Sequence, residues 1–188
     1  MTSSTDSRKQ ATVTRLEHHD YRHGDIVLCH GKGVISWAIR VGERLRHPKH
    51  ACHWNHAGIL MRPVAHRWDP DWWVLAAGPK GVGWNKLSEM GENVVVSSRL
   101  DTRGRNLACE FAQRACGRKY GWLTIASILF NLATPNIWDF HRPGTFICSG
   151  LAARAMGQGG YAFPITTDMD QVMPADLAIW LRAPATGL

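Results

Sequence analysis

Two short segments carry the residue types that thiol chemistry needs. Trp54-Asn55-His56-Ala57-Gly58-Ile59 reads as a strand bearing a histidine, and Phe146-Ile147-Cys148-Ser149-Gly150-Leu151 as a cysteine at the mouth of an apolar helix. A thiol attacks carbonyl carbon as its thiolate, and helix N-terminal amides with a nearby imidazolium lower its pKa. The pairing predicts a cysteine hydrolase or acyltransferase with His56 as base and Cys148 as nucleophile. Neither residue is persuasive alone, because a lone cysteine is commonly a buried, inert thiol and a lone histidine an ordinary hydrogen-bonded one. The expectation rests on both local contexts occurring in one chain.

Side chains alternate faces along a strand, so His56 is expected to share a face with Trp54 and Gly58. A glycine two residues from the imidazole leaves room beside it. Cys148 precedes Leu151, Ala152, Ala155 and Met156 and falls in the first helical turn, where its own N–H can meet an oxyanion formed at its sulfur. Tyr120 could add a hydroxyl to the cleft, although a buried aromatic is the simpler reading, and the second oxyanion donor stays unassigned.

The positioning elements follow from periodicity. Gly24 to Cys29 reads as a first strand, and Val34 to His47 as an amphipathic helix that Pro48 ends. Strands are expected over His53–Met61, Trp72–Ala77 and Asn93–Ser98, with Gly78-Pro79-Lys80-Gly81 as a turn. Asp101 or Thr102 caps a helix to Cys116, with Cys109 and Cys116 both facing the core. A second helix runs from Tyr120 to Ala133, a loop from Thr134 to Gly144, and the cysteine helix from Cys148 to Met156. Met173 to Ala178 starts a short terminal segment. Residues 1–22 read as a flexible tail and 23–188 as one domain. Grouped rather than alternating elements predict an α+β fold.

Composition bounds the function. The net charge of +7 suits acidic partners such as cell-wall polymer, anionic lipid or nucleic acid. Arg40, Arg44, Arg46 and Lys49 form a local patch that a solvated helix face would also explain. Five cysteines without a compact framework argue for reduced thiols. Nine tryptophans include six (37, 54, 72, 73, 84 and 122) that could line a cleft, most of them expected as core. No secretory signal is evident, and the longest apolar run, Trp122 to Ala133, is too short to span a bilayer. The expectation is a chain that is cytoplasmic when made, with no transmembrane segment, reaching any extracellular target by lysis or in a phage particle.

Gly24-Asp25-Ile26-Val27, Asn55-His56-Ala57-Gly58-Ile59, Gly117-Arg118-Lys119-Tyr120, Cys148-Ser149-Gly150-Leu151 and Pro174-Ala175-Asp176-Leu177, in that order, resemble the motif series of the circularly permuted NlpC-type papain-fold superfamily of cysteine hydrolases and acyltransferases. That group includes the lecithin–retinol acyltransferase-like proteins. The resemblance spans about residues 23–180 and places the histidine before the cysteine, the reverse of papain. It implies a small antiparallel sheet packed against helices, with the nucleophile on a helix N-terminus and the base on the sheet. It also implies acyl cleavage or transfer at amides or esters of peptidoglycan peptides or lipids, with no cofactor. The basic surface fits a cell-wall peptide, the preferred substrate, and an apolar aromatic cleft fits a lipid acyl group. The family places a polar residue on the next strand to orient the base, and here that position falls on Ala76. Loss of tautomer control is costly in triads, so the site reads as a dyad or as a silent binding site. His30, His66, Asp69 and Asp71 are the conceivable substitutes.

Two other classes compete. His47 to His56 packs four histidines and Cys52 into ten residues, so a zinc site using His50, Cys52, His53 and His56 deserves weighing. The spacing fits no common zinc module, and no metal is expected. A nucleic-acid module is motivated by charge and aromatics, but no recognition motif accompanies them.

Overall fold

The structure is a computed structural model that describes residues 17–44, 47–49, 51–63, 68–133, 144–164 and 168–184. Its centre is a five-stranded, fully antiparallel sheet of β1 (Ile26–Cys29), β2 (His56–Met61), β3 (Trp73–Gly78), β4 (Gly81–Lys86) and β5 (Asn93–Val96). The strand order is β4-β3-β2-β1-β5. Helices α1 (Val34–Glu43), α2 (Thr102–Ala115), α3 (Trp122–Ala133), α4 (Cys148–Gln158) and α5 (Pro174–Leu181) complete an α+β architecture.

Strand alternation divides the core in two. Ile26, Leu28, Ile59, Met61, Leu75 and Val94 face α2 and α4. Val27, Leu60, Val74, Ala76 and Val95 face the other way, under Trp72 and Leu87. Arg62 lies 4.5 Å over the Trp72 ring and Tyr21 meets its edge, which seals that face. Both faces are covered, so the strands read as near-continuous apolar runs.

Three expected elements differ. The segment before β2 is a 3-10 turn at Ala51–His53, so the strand begins at His56 itself. Trp54 therefore shares no strand face with His56; it packs in the helix-side core and donates from Nε1 to the Pro184 carbonyl at 2.8 Å. Helix α1 stops at Glu43, ahead of the expected His47. Gly81–Lys86, of which only Gly81 was expected, as the last residue of a turn, is the edge strand β4 paired along all of β3.

The expected Asp101 cap is present: its carboxylate accepts the Gly104 N–H at 2.6 Å. Cys109 is buried, but Cys116 is exposed because the helix has already ended there. Asp25, wholly buried, explains the Gly24-Asp25 pair. It accepts N–H groups from Arg22 and Ser98 and the Arg105 guanidinium at 2.6 Å, tying the entry of β1 to α2. Among the described residues no helix is long and apolar enough to cross a membrane.

Candidate active site

Cys148 opens α4 directly after Ile147, whose extended backbone and lack of a capping side chain leave the first-turn amides available. The helix can sit deep because its inner residues, Ala152, Ala153 and Ala155 among them, are small and buried in the core shared with the sheet. Ser149 is anchored by donating its hydroxyl to the Val172 carbonyl rather than being offered to a leaving group.

His56 starts β2, the central strand, and pairs across to Cys29 of β1. Its ring and the Cys148 thiol are hydrogen-bonded partners. The expected pair is brought together from opposite layers of the molecule.

The electrostatics match that contact. Burial alone would push the Cys148 thiol up. The His56 charge, the hydrogen bond from its ring, and the backbone N–H groups of Ala57 and Ser149 together hold it below the ordinary thiol value. Burial would likewise lower His56, but the Cys148 sulfur raises it above the ordinary imidazole value. Thiolate and imidazolium thus favour each other. By contrast, burial raises Cys29 above the ordinary thiol range and Cys109 to about 11, the marks of inert core thiols.

The pair opens into a cleft of about 860 Å³, lined by Cys148, His56, Ile39, Ala76, Trp84 and Tyr120 with the turn from Gly78 to Gly81. Gly58 and Ala76 close the sheet beneath it. A Cβ at Gly58 would lie 2.4 Å from Val74 Cγ1 and 3.1 Å from Ala76 Cβ, so only glycine fits. Asn55 holds the opposite wall: it accepts the Gly31 N–H at 2.8 Å and donates to the Gly31 carbonyl at 3.1 Å. Sequence reasoning gave Asn55 no role, although an amide beside a candidate base was a visible signal.

Tyr120 is more than a buried helix-start aromatic. It precedes α3, pairs with Phe146 two residues before Cys148, and lines the cleft. Burial, reinforced by the Cys148 charge, holds its phenol above the ordinary range, so it stays a proton donor.

None of the described substitutes orients His56. The His30 ring donates to the His53 carbonyl and accepts from Arg40 at 2.7 Å. Asp69 pairs with Lys86 at 2.9 Å, and Asp71 accepts from Ser88. His66 lies outside the described residues. Ala76 presents only a methyl group to the cleft.

The zinc grouping is dispersed. Cys52 donates to the carbonyls of His47 and Pro48, His53 pairs with Glu92 at 2.8 Å, and His56 belongs to Cys148. His50 lies outside the described residues. A different trio, His30, His53 and Glu92, has potential ligand atoms within 4.8 Å of one another. Its nitrogens already serve an Arg40–His30–His53–Glu92 chain, and a cation there would have to displace a guanidinium. Of the basic patch, Arg40 is committed to that chain and Arg46 lies outside the described residues.

Comparison with protein-family models gives no match, and comparison with curated proteins gives none either.

Proposed function

We propose that this chain is a cysteine-dependent hydrolase of the amidase or endopeptidase type, built on a circularly permuted papain-like domain. The observation that carries the reading is the Cys148–His56 contact at a helix N-terminus, with thiol and imidazole shifted in the complementary directions that ion-pair formation requires.

In the proposed reaction the Cys148 thiolate attacks an amide or ester carbonyl in the cleft. The oxyanion is met by the backbone N–H of Cys148 and the protonated Tyr120 hydroxyl. His56 gives its proton to the leaving amine or alcohol as the tetrahedral centre collapses to a thioester. It then takes a proton from water, whose oxygen attacks the acyl carbon and releases the acid and the thiolate. No step needs a cofactor. A cell-wall peptide amide is the preferred substrate; a lipid acyl group serves the same chemistry.

A second reading, a silent binding protein, is favoured by one observation: no described side chain is hydrogen-bonded to His56 apart from Cys148. Mass spectrometry of protein acid-quenched during p-nitrophenyl acetate turnover separates the two. A single acetyl group on Cys148, absent in Cys148→Ala and short-lived in wild type, supports the hydrolase. A wild type that acylates no faster than its exposed Cys116 sinks it.

A further inference from the structure

A second, shallower groove of about 330 Å³ continues from the catalytic cleft. The two share Pro79, Lys80 and Tyr120 as a common wall, and the groove is completed by Lys119, Trp122, Leu123 and Thr145. Its character differs from that of the cleft. No carboxylate lines it, and neither Lys80 nor Lys119 forms an ion pair with a described residue. Trp122 and Leu123 line the same groove as the two lysines and are 47% and 52% exposed. Large apolar side chains left this open next to unpaired cations leave both interactions to an outside molecule.

The groove is built rather than incidental. Lys80 sits in the β3–β4 turn and Lys119 some forty residues later, yet backbone bonds fasten the two segments. Val82 N–H donates to the Arg118 carbonyl at 2.8 Å and Gly117 N–H to the Val82 carbonyl at 2.9 Å. The approach is close enough that a Cβ at Gly81, with φ +110°, would lie 2.6 Å from the Arg118 oxygen. Lys119 is in turn bonded through its carbonyl to Phe146 N–H at 3.1 Å, and Phe146 leads into Cys148. The two lysines therefore keep a fixed relation to the nucleophile.

We infer that this groove is a subsite for a carboxylate-bearing part of the acyl substrate, the carboxylate held between Lys80 and Lys119 and its carbon chain lying on Trp122 and Leu123. The inference rests on the hydrolase reading of the adjoining cleft and narrows the substrate to acidic peptides or acyl groups. A neutral substrate would leave both ammonium groups unpaired.

The test uses two anionic probes on the full chain. The first is dansyl-glutamate, which has no bond to cleave, followed by fluorescence against its neutral diamide. Wild type should bind the acid more tightly. Lys80→Gln/Lys119→Gln should weaken binding of the acid about tenfold, to the level of the diamide. Lys80→Arg/Lys119→Arg should retain it, and Lys49→Gln/Arg103→Gln, with the same loss of charge elsewhere, should not change it. Equal affinity of acid and diamide for wild type, or equal losses in the two Gln pairs, overturns the subsite. The second probe is the p-nitrophenyl monoester of glutarate, compared with p-nitrophenyl valerate. The ratio of the two kcat/KM values should fall about tenfold in Lys80→Gln/Lys119→Gln and keep its wild-type value in Lys49→Gln/Arg103→Gln. Selective glutamate binding without turnover of either ester would uphold the anion site and refute the hydrolase reading instead.

Discussion

Replacing His56 with Gln keeps side-chain volume approximately and removes the imidazolium, which isolates its effect on the Cys148 thiol. An ordinary thiol of pKa about 8.5 is ionised to roughly 0.3% at pH 6, so complete ionisation is a gain of roughly 300-fold. For each pKa unit by which the pair lowers the thiol, the thiolate fraction below the pKa gains about tenfold and a Brønsted slope of about 0.4–0.5 returns roughly threefold of it, so about threefold faster alkylation per unit remains. The variant loses that gain, because its thiol is pushed up by burial while only the amides of Ala57 and Ser149 oppose it. The assay is iodoacetamide labelling from pH 5 to 9, followed by peptide mass spectrometry, with exposed Cys116 as a reference in the same molecule. Wild-type Cys148 should reach its plateau rate at a lower pH than the variant. The variant should label at least about threefold more slowly at pH 6 and climb about tenfold per pH unit below its own plateau. Parallel profiles in the two proteins would refute the ion pair and, with it, thiolate catalysis.

Three further outcomes are expected. Tyr120→Phe should lower kcat on an activated ester about 10²-fold with little change in KM or melting temperature, since it removes one oxyanion donor and no packing; unchanged kcat excludes the role. Glu43→Gln should change how stability depends on pH. Glu43 is wholly buried on α1, with Oε1 accepting the Ala175 N–H at 2.9 Å and Oε2 unpartnered, and burial raises its pKa to about 8. Its folded-state value lies above the unfolded one, so wild-type stability should fall as pH rises from about 4.5 to 8, by on the order of 3 kcal/mol at pH 7. Denaturant melts of the Gln variant should lack most of that fall, and identical pH slopes would contradict the assignment. Arg105→Ala strands the Asp25 carboxylate and should cost about 3–5 kcal/mol in urea unfolding; a loss below about 1 kcal/mol would show that Asp25 finds other compensation.

The elements that carry His56 and Cys148 were legible in the sequence because each has a strong local signal: an apolar strand after Asn55 and an apolar, small-residue helix after Cys148. Asp101 was equally readable, since capping is a local hydrogen bond. Strand β4 was not, because Gly-Val-Gly-Trp-Asn-Lys has low strand propensity and is held by pairing with β3. Trp54 was misplaced because apolar character does not say where a strand starts, and a 3-10 turn shifted its phase. The buried acid Glu43 reads as a surface residue on a helical wheel; only the approach of α5, bringing the Ala175 amide, accounts for its position. The two-lysine groove was out of reach for a related reason. Lys80 and Lys119 meet through backbone bonds between a turn and a helix connection, a contact that leaves no periodicity behind.

The two groups of the proposed dyad belong to different layers, His56 to the sheet and Cys148 to the helix laid over it. Their contact bridges the seam between the two, with the Ala57 amide as an additional stitch. On the hydrolase reading, chemistry here is therefore a gauge of seam closure. A disturbance that parts α4 from β2 by even an ångström disarms the thiol while the strands and helices stay intact, so inactivation would come well ahead of any loss of secondary structure. The same arrangement is protective: before helix and sheet have met, the Cys148 thiol lacks the His56 and Ala57 contacts that lower it and is an ordinary thiol.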